Sequence, residues 1–253
     1  MLSRFGIDGD AATHNDSRQP ERLVVTRNGV AIPACVWKPA GPSRGIVLAC
    51  HGGSGHKQSP AIVAIASTLT RSGLAVLAID GPVHGERRLD GDMTAPTAIA
   101  SFHEAWRAGV GRLDIGEDFS AALDELTMDP TFAALPVGYI GVSMGTAYGI
   151  PLLARDRRIE AAAIGMWSMT DPESGHLADY ARLVRCPVWF TQQWNDEYCD
   201  RAGTAALFDA IGSADKRLVA YPGPHRALEG ERLADATAFI AQRLLGTPAG
   251  DPA

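Results

Sequence analysis

A serine stands between two glycines in Gly141-Val142-Ser143-Met144-Gly145, the pattern G-x-S-x-G. The apolar run 137–142 before it reads as a strand, and 144–155 after it reads as a helix in spite of Pro151. In that context the pattern predicts a sharp strand-to-helix turn that presents a nucleophile. Side chains beside so tight a turn would collide with the nucleophile's backbone, and glycines at 141 and 145 remove them. The competing reading is an ordinary turn with incidental glycines, against which the flanking elements argue.

A serine hydroxyl attacks poorly unless a base takes its proton. Where such a turn carries a catalytic triad, the acid and then the histidine follow the serine in the chain. Two histidines follow Ser143, His176 and His225. His225 lies in the turn-forming run Tyr221-Pro222-Gly223-Pro224-His225, between the last expected strand and the last expected helix, and is the preferred base. His176 falls earlier and reads as a surface or rim residue. Asp196, in Gln193-Trp194-Asn195-Asp196-Glu197 after a strand-like run, is the preferred acid; Asp171, Glu197 and Asp200 are rivals. A carboxylate there would hold the imidazole tautomer and stabilise the imidazolium.

Acyl transfer also needs donors for a developing oxyanion. The Met144 N–H, next after the nucleophile, is one candidate. The other should come from His51-Gly52-Gly53-Ser54-Gly55, with Gly53 preferred and Ser54 next. A phosphate-binding loop is excluded there, because His56-Lys57-Gln58 follows where Lys and then Ser or Thr would be required. The dinucleotide fingerprint is not met either. No spacing of ligand residues suggests a metal, and this chemistry needs no cofactor.

The elements that must position these groups alternate along the chain. Residues 21–27 and 30–38 are strand-like and joined at Asn28-Gly29, a pair suited to a tight hairpin. Runs 45–50, 74–79, 137–142, 159–167, 187–191 and 217–221 read as strands, the first two being continuously apolar. Helical patterns fill 60–71, 114–126, 144–155, 201–211 and 229–245. Such alternation predicts a mostly parallel central sheet with helices on both faces, and the opening hairpin adds antiparallel strands at one edge. One domain is expected over 21–247, preceded by a flexible arm at 1–20 and followed by a tail at 248–253. The least regular part, 83–116, is either a small rim over the site or a helix and loop packed on the body.

The 253 residues carry a formal charge of -6, which argues against nucleic acid or an anionic membrane as the partner. The first 20 residues are polar and lack a signal-like apolar stretch. Cys35, Cys50, Cys186 and Cys199 form no CxxC pair, and a reducing, cytoplasmic setting is expected. A monomer or homodimer acting on a small molecule fits these bulk properties.

These residues resemble the α/β-hydrolase superfamily, and within it the dienelactone hydrolase-like and related small serine esterase branches. The resemblance rests on His51-Gly52-Gly53, the Ser143 pentapeptide, Asp196, His225 and the run Asp80-Gly81-Pro82-Val83-His84-Gly85-Glu86-Arg87. It spans about residues 21–245, and it implies the α/β-hydrolase fold and a carboxylic ester hydrolase working through an acyl-enzyme. Thioester, amide or peptide, and C–C bond hydrolysis are alternatives on the same triad, and a non-catalytic small-molecule binding protein is another. Dienelactone hydrolase itself uses a cysteine where this chain has Ser143. By resemblance His84 and Arg87 are pocket residues, although both could instead fix the loop after Asp80. Phe102, Trp106 and Trp194 could line an acyl pocket, or belong to the core. Lys57, Arg88 and Arg226 could meet an anionic substrate group or remain solvated. No large cap is expected between Trp167 and Pro187.

Overall fold

The structure is a computed structural model that describes residues 19–92 and 94–246. The predicted tail, and nearly all of the predicted arm, lie outside those residues. Strands β1 (Glu21–Arg27) and β2 (Val30–Trp37) form the expected hairpin. Asn28 and Gly29 both take positive φ, 52° and 78°, the backbone that a two-residue turn between twisted strands requires.

Strands and helices then alternate: β3 (Ile46–Ala49), α1 (Pro60–Arg71), β4 (Ala75–Ile79), α2 (Ala95–Arg107), α3 (Asp114–Thr127), β5 (Val137–Ile140), α4 (Met144–Arg155), β6 (Ile159–Gly165), α5 (Leu177–Ala181), β7 (Val188–Gln193), α6 (Arg201–Ala210), β8 (Lys216–Tyr221) and α7 (Gly230–Leu245). The eight strands form one sheet in the order β1-β2-β4-β3-β5-β6-β7-β8. β1 pairs antiparallel with β2 and β2 antiparallel with β4; every other pairing is parallel.

Alternate residues of the buried strands feed two cores, one on each side of the sheet. Ile46, Leu48, Leu77 and Tyr139 join one, with Phe102, Trp106 and Phe119. Val47, Ala49, Val76 and Ile140 join the other, with Ile62, Ile65 and Phe239. The irregular stretch resolves into a 3₁₀ turn at Gly85–Arg87, helix α2 and the start of α3. Between Trp167 and Pro187 there is only the five-residue α5, so no cap covers the sheet end there.

From β3 the chain turns to β4 on one side, whereas from β5 it proceeds through β6, β7 and β8 on the other. The carboxyl ends of β3 and β5 therefore flank a topological switch point, where open α/β sheets form their binding crevice. The two segments singled out for chemistry, after β3 and after β5, are brought together there.

Candidate active site

Ser143 occupies the turn between β5 and α4 with φ 58° and ψ −123°, a conformation unusual for a residue with a side chain. Surrounding contacts hold it. The Ser143 N–H donates to Gly165 O at 2.9 Å. The Tyr139 hydroxyl donates to Gly145 O at 2.6 Å, and the Gly165 N–H donates to Thr146 Oγ1 at 2.7 Å. The glycine requirement at the turn comes from the end of β3. A Cβ on Gly141 would lie 3.0 Å from Cys50 Cβ, and one on Gly145 would lie 3.0 Å from Cys50 O.

The loops after β7 and β8 are joined through their backbones, with Trp194 N–H donating to Tyr221 O at 2.7 Å and Asn195 N–H to Gly223 O at 3.1 Å. The His225 N–H donates to Glu197 Oε2 at 2.8 Å. Held in this way, His225 Nδ1 lies 2.8 Å from Asp196 Oδ2, and His225 Nε2 lies 2.9 Å from Ser143 Oγ. With the proton on Nδ1 donated to Asp196, Nε2 is free to accept the serine hydroxyl's hydrogen. The Asp196 side chain is 3% exposed and that of His225 is 16% exposed, so the carboxylate is shielded while the imidazole faces the cleft. Burial by itself would raise the Asp196 pKa. The hydrogen bond from His225 and the N–H groups of Cys199 and Tyr198 outweigh burial and keep it below the usual carboxylate value.

Opposite Ser143, two buried histidines shape the loop after β3. His51 Nδ1 lies 2.8 Å from Gly52 O, and its Nε2 accepts the Gly81 N–H at 3.0 Å. His84 Nε2 lies 3.0 Å from Gly53 O. In a trans peptide the N–H points opposite to the preceding C=O. Holding the carbonyls of Gly52 and Gly53 therefore directs the N–H groups of Gly53 and Ser54 away from the histidines. Among the described residues, the N–H groups of Gly53, Ser54 and Met144 donate to no protein acceptor. Burial, reinforced for His51 by its neighbour His84, lowers the histidine pKa values to about 3 for His51 and about 4 for His84, so both rings are neutral at ordinary pH.

Beneath this loop the Asp80 carboxylate, fully buried, accepts from Lys57 Nζ at 2.7 Å and from the N–H groups of Lys57 and Glu86 at 2.9 Å each. It thereby ties the loop after β3 to the loop after β4.

A cleft of about 630 Å³ opens over Ser143 and His225, lined in part by Gly53, Ser54, Phe102 and Trp106. Of the four expected pocket residues, only Trp106 lines it. His84 is fully buried behind the loop after β3. Arg87 turns inward to Asp118 at 2.6 Å. Trp194 is half exposed, away from the cleft, with the Arg201 guanidinium 4.5 Å from its ring centre. Neither Lys57 nor Arg88 is free for an anion. Lys57 is buried against Asp80 and Glu86, and Arg88 is held by Asp90, Val83 O and Ser101. Arg226 does line the cleft, whereas His176 does not.

One neighbour of the imidazole escaped the sequence reading, and two residues that it did name take other places. Tyr198 packs edge-on to His225, with ring centres 5.3 Å apart, and its only sequence signal is its position two residues after Asp196. Asp171, weighed only as a rival acid, lines the cleft instead of reaching the imidazole. Cys199, although distant in sequence from His225, also brings its sulfur to within 4.8 Å of ligand atoms of Asp196 and His225, a grouping that no sequence spacing reveals.

Among solved structures, the chain is similar to a cold-adapted esterase from an Arctic intertidal metagenomic library, at 34% identity over 89% of this chain and 93% of the other, with a TM-score of 0.75. Two more distant likenesses bear on the fold alone. Dienelactone hydrolase from Anabaena variabilis matches at 24% identity over 90% of this chain and 98% of the other, with a TM-score of 0.62. The 2,6-dihydroxy-pseudo-oxynicotine hydrolase matches at 18% over 94% and 71%, with a TM-score of 0.71. No family model and no curated protein matches the chain. The sheet order and the turn at its switch point define an α/β-hydrolase fold. The chain belongs to the α/β-hydrolase superfamily and is a hydrolase. Among the described residues no helix is long and apolar enough to cross a membrane.

Proposed function

We propose that the protein is a serine esterase that cleaves carboxylic esters of small molecules through an acyl-enzyme. The observation that carries this reading is the unbroken chain from Ser143 Oγ through His225 to Asp196, with contacts of 2.9 and 2.8 Å, at the floor of an open cleft. The similarity to an esterase supports the ester as the bond cleaved.

Ser143 attacks the ester carbonyl while His225 Nε2 takes its proton, and Asp196 orients and stabilises the resulting imidazolium. The N–H groups of Met144 and Gly53, with Ser54 beside them, receive the oxyanion. Preorganised donors of this kind contribute about 2.7–4 kcal/mol each to the transition state. The protonated His225 gives its proton to the departing alkoxide. It then takes one from water, which attacks the acyl-enzyme and releases the acid.

A fluorophosphonate tests this without knowledge of the natural substrate. Intact-protein mass should show one adduct, absent in Ser143→Ala and formed far more slowly in His225→Ala. A folded wild-type protein that takes no adduct, or a Ser143→Ala variant that still hydrolyses esters, would remove the basis for this reading.

A further inference from the structure

The cleft has two ends of different chemistry. Ile62, Ile65 and Leu228 line one end and belong to the core on one side of the sheet. Phe102, Trp106 and Trp167 line the other and belong to the core on the opposite side. The cleft therefore crosses the carboxyl edge of the sheet, with Ser143 on the crest between an aliphatic lobe and an aromatic lobe. A substrate with its carbonyl at Ser143 places one substituent in each.

The aromatic lobe is rigid. Trp106 and Trp167 meet edge to face with ring centres 5.3 Å apart, and Phe102 lies 6.1 Å from Trp106 and 6.0 Å from Trp167. Trp106 Nε1 donates to Pro172 O at 2.9 Å, which ties α2 to the loop after β6. The residue before Pro172 is Asp171, and both line the cleft along with Trp106 and Trp167. Its Oδ2 accepts the Ser168 N–H at 3.1 Å and lies 3.7 Å from the Cys199 thiol. Its Oδ1 accepts no hydrogen bond among the described residues. Burial, with the Asp196 and Asp200 carboxylates adding to it, raises the Asp171 pKa against the hydrogen bonds that lower it. Such a group gains from a donor supplied by a ligand. The triad itself makes no use of Asp171.

Resting on the serine-esterase reading, we propose that the substrate is an ester with an aliphatic group on one side of the carbonyl and, on the other, an aromatic ring bearing a hydroxyl or amine that donates to Asp171. The ring packs edge-on or offset against Trp106 and Trp167, geometries that aromatic pairs favour. Asp171 is partly buried, and a ring without the donor covers its carboxylate and leaves it without a partner, whereas a ring with the donor supplies one. Asp171 is thus a specificity-determining residue that acts on the substrate directly.

The test is kcat/KM on matched esters: phenyl, hydroxyphenyl and carboxyphenyl acetates, and the methyl esters of phenylpropionate and hydroxyphenylpropionate. The two series place the ring in the alcohol and in the acyl part. In the wild-type protein the hydroxyl-bearing member should exceed its unsubstituted partner by about ten-fold or more in at least one series, as for a hydrogen bond to a charged acceptor. In Asp171→Asn, with each rate divided by that variant's own rate on the unsubstituted ester, the advantage should shrink to a few-fold or less. Trp106→Ala should lower turnover of all the aromatic esters relative to ethyl acetate. A wild-type ratio near one in both series overturns the proposal whatever the variants do. So does an unchanged ratio in Asp171→Asn. Preference for the carboxyphenyl ester would assign the end of the lobe to Arg107, which also lines the cleft, and would overturn it equally. Loss of the serine-esterase reading is separable, since it would appear as Ser143→Ala turning over every ester at the wild-type rate.

Discussion

Replacing Asp80 with Asn strips the buried Lys57 ammonium of its fully buried counter-charge. The two side chains are 0% and 2% exposed and their charged atoms are 2.7 Å apart. At that separation unit charges attract by about 6 kcal/mol for an effective dielectric of about 20. Desolvating both ions offsets most of this, so the pair's net worth is small while breaking it is costly. After Asp80→Asn, Lys57 keeps only Glu86 at 2.6 Å, and that carboxylate is one-third exposed. The expected loss is about 4–5 kcal/mol, the upper part of the range for removing one partner of a buried pair. After Lys57→Met, Asp80 still accepts two backbone N–H groups, so the loss should lie at the lower end, about 3 kcal/mol. The double variant carries neither charge and should lose about 3–4 kcal/mol, which leaves a coupling energy of about 3–5 kcal/mol. Urea denaturation of the four proteins, followed by tryptophan fluorescence, measures each value. Losses that add to within about 0.5 kcal/mol would show that the two charges do not stabilise each other, and the reasoning would fail.

Three further outcomes follow from the site. Asp196→Asn should lower kcat by about 10⁴-fold with little change in stability, since an amide can present its N–H to Nδ1 and so favour the wrong imidazole tautomer; steady-state kinetics and a melting curve check both halves. Acid should destabilise the fold through His51 and His84. Each takes up a proton near pH 6.5 when unfolded but only near about 3 and about 4 when folded, so the unfolded state binds more protons and stability is lost as pH falls through that window. The His84 share is on the order of 3 kcal/mol, and Tm measured from pH 7 to pH 4 should fall less steeply in His84→Gln than in the wild-type protein. Gly141→Ala should cost about 1–3 kcal/mol, because its Cβ would sit 3.0 Å from both Cys50 Cβ and Tyr139 Oη and the neighbours are close-packed; a Tm within a degree of wild type would contradict the packing described.

The candidate site's three hydrogen-bonded groups were legible because each sits in a recognisable stretch of local sequence. A glycine-flanked serine between a strand and a helix specifies its own turn. His225 and Asp196 follow in the loops after successive parallel strands, which all open at one end of the sheet. Asn28-Gly29 similarly specifies its hairpin through its tolerance of positive φ. Side-chain destinations were not legible in this way. His84, Arg87, Lys57 and Arg88 are polar residues in polar-looking runs, and the sequence does not tell whether such a residue faces a ligand or a buried carboxylate. Lys57 and Arg87 turn inward because Asp80 and Asp118 are buried and need partners, while His84 meets Gly53 O and Arg88 meets Val83 O and Ser101, all properties of the packed interior. Trp106 and Trp194 are likewise the same residue type near the same site, and only the position of α2 over the sheet edge separates a cleft wall from an exposed ring.

The amino-acid sequence by itself determined the alternation of strands and helices, the hairpin at Asn28-Gly29 and the glycine-flanked turn at Ser143, because each depends on residues within a few positions of one another. Only the tertiary structure decided that β3 lies between β4 and β5, that the cleft crosses the sheet edge from an aliphatic to an aromatic lobe, and that Asp171 faces that cleft while His225 takes its partner from Asp196. These relations join residues tens of positions apart, and the packing of the two cores against a single twisted sheet is what brings them into contact.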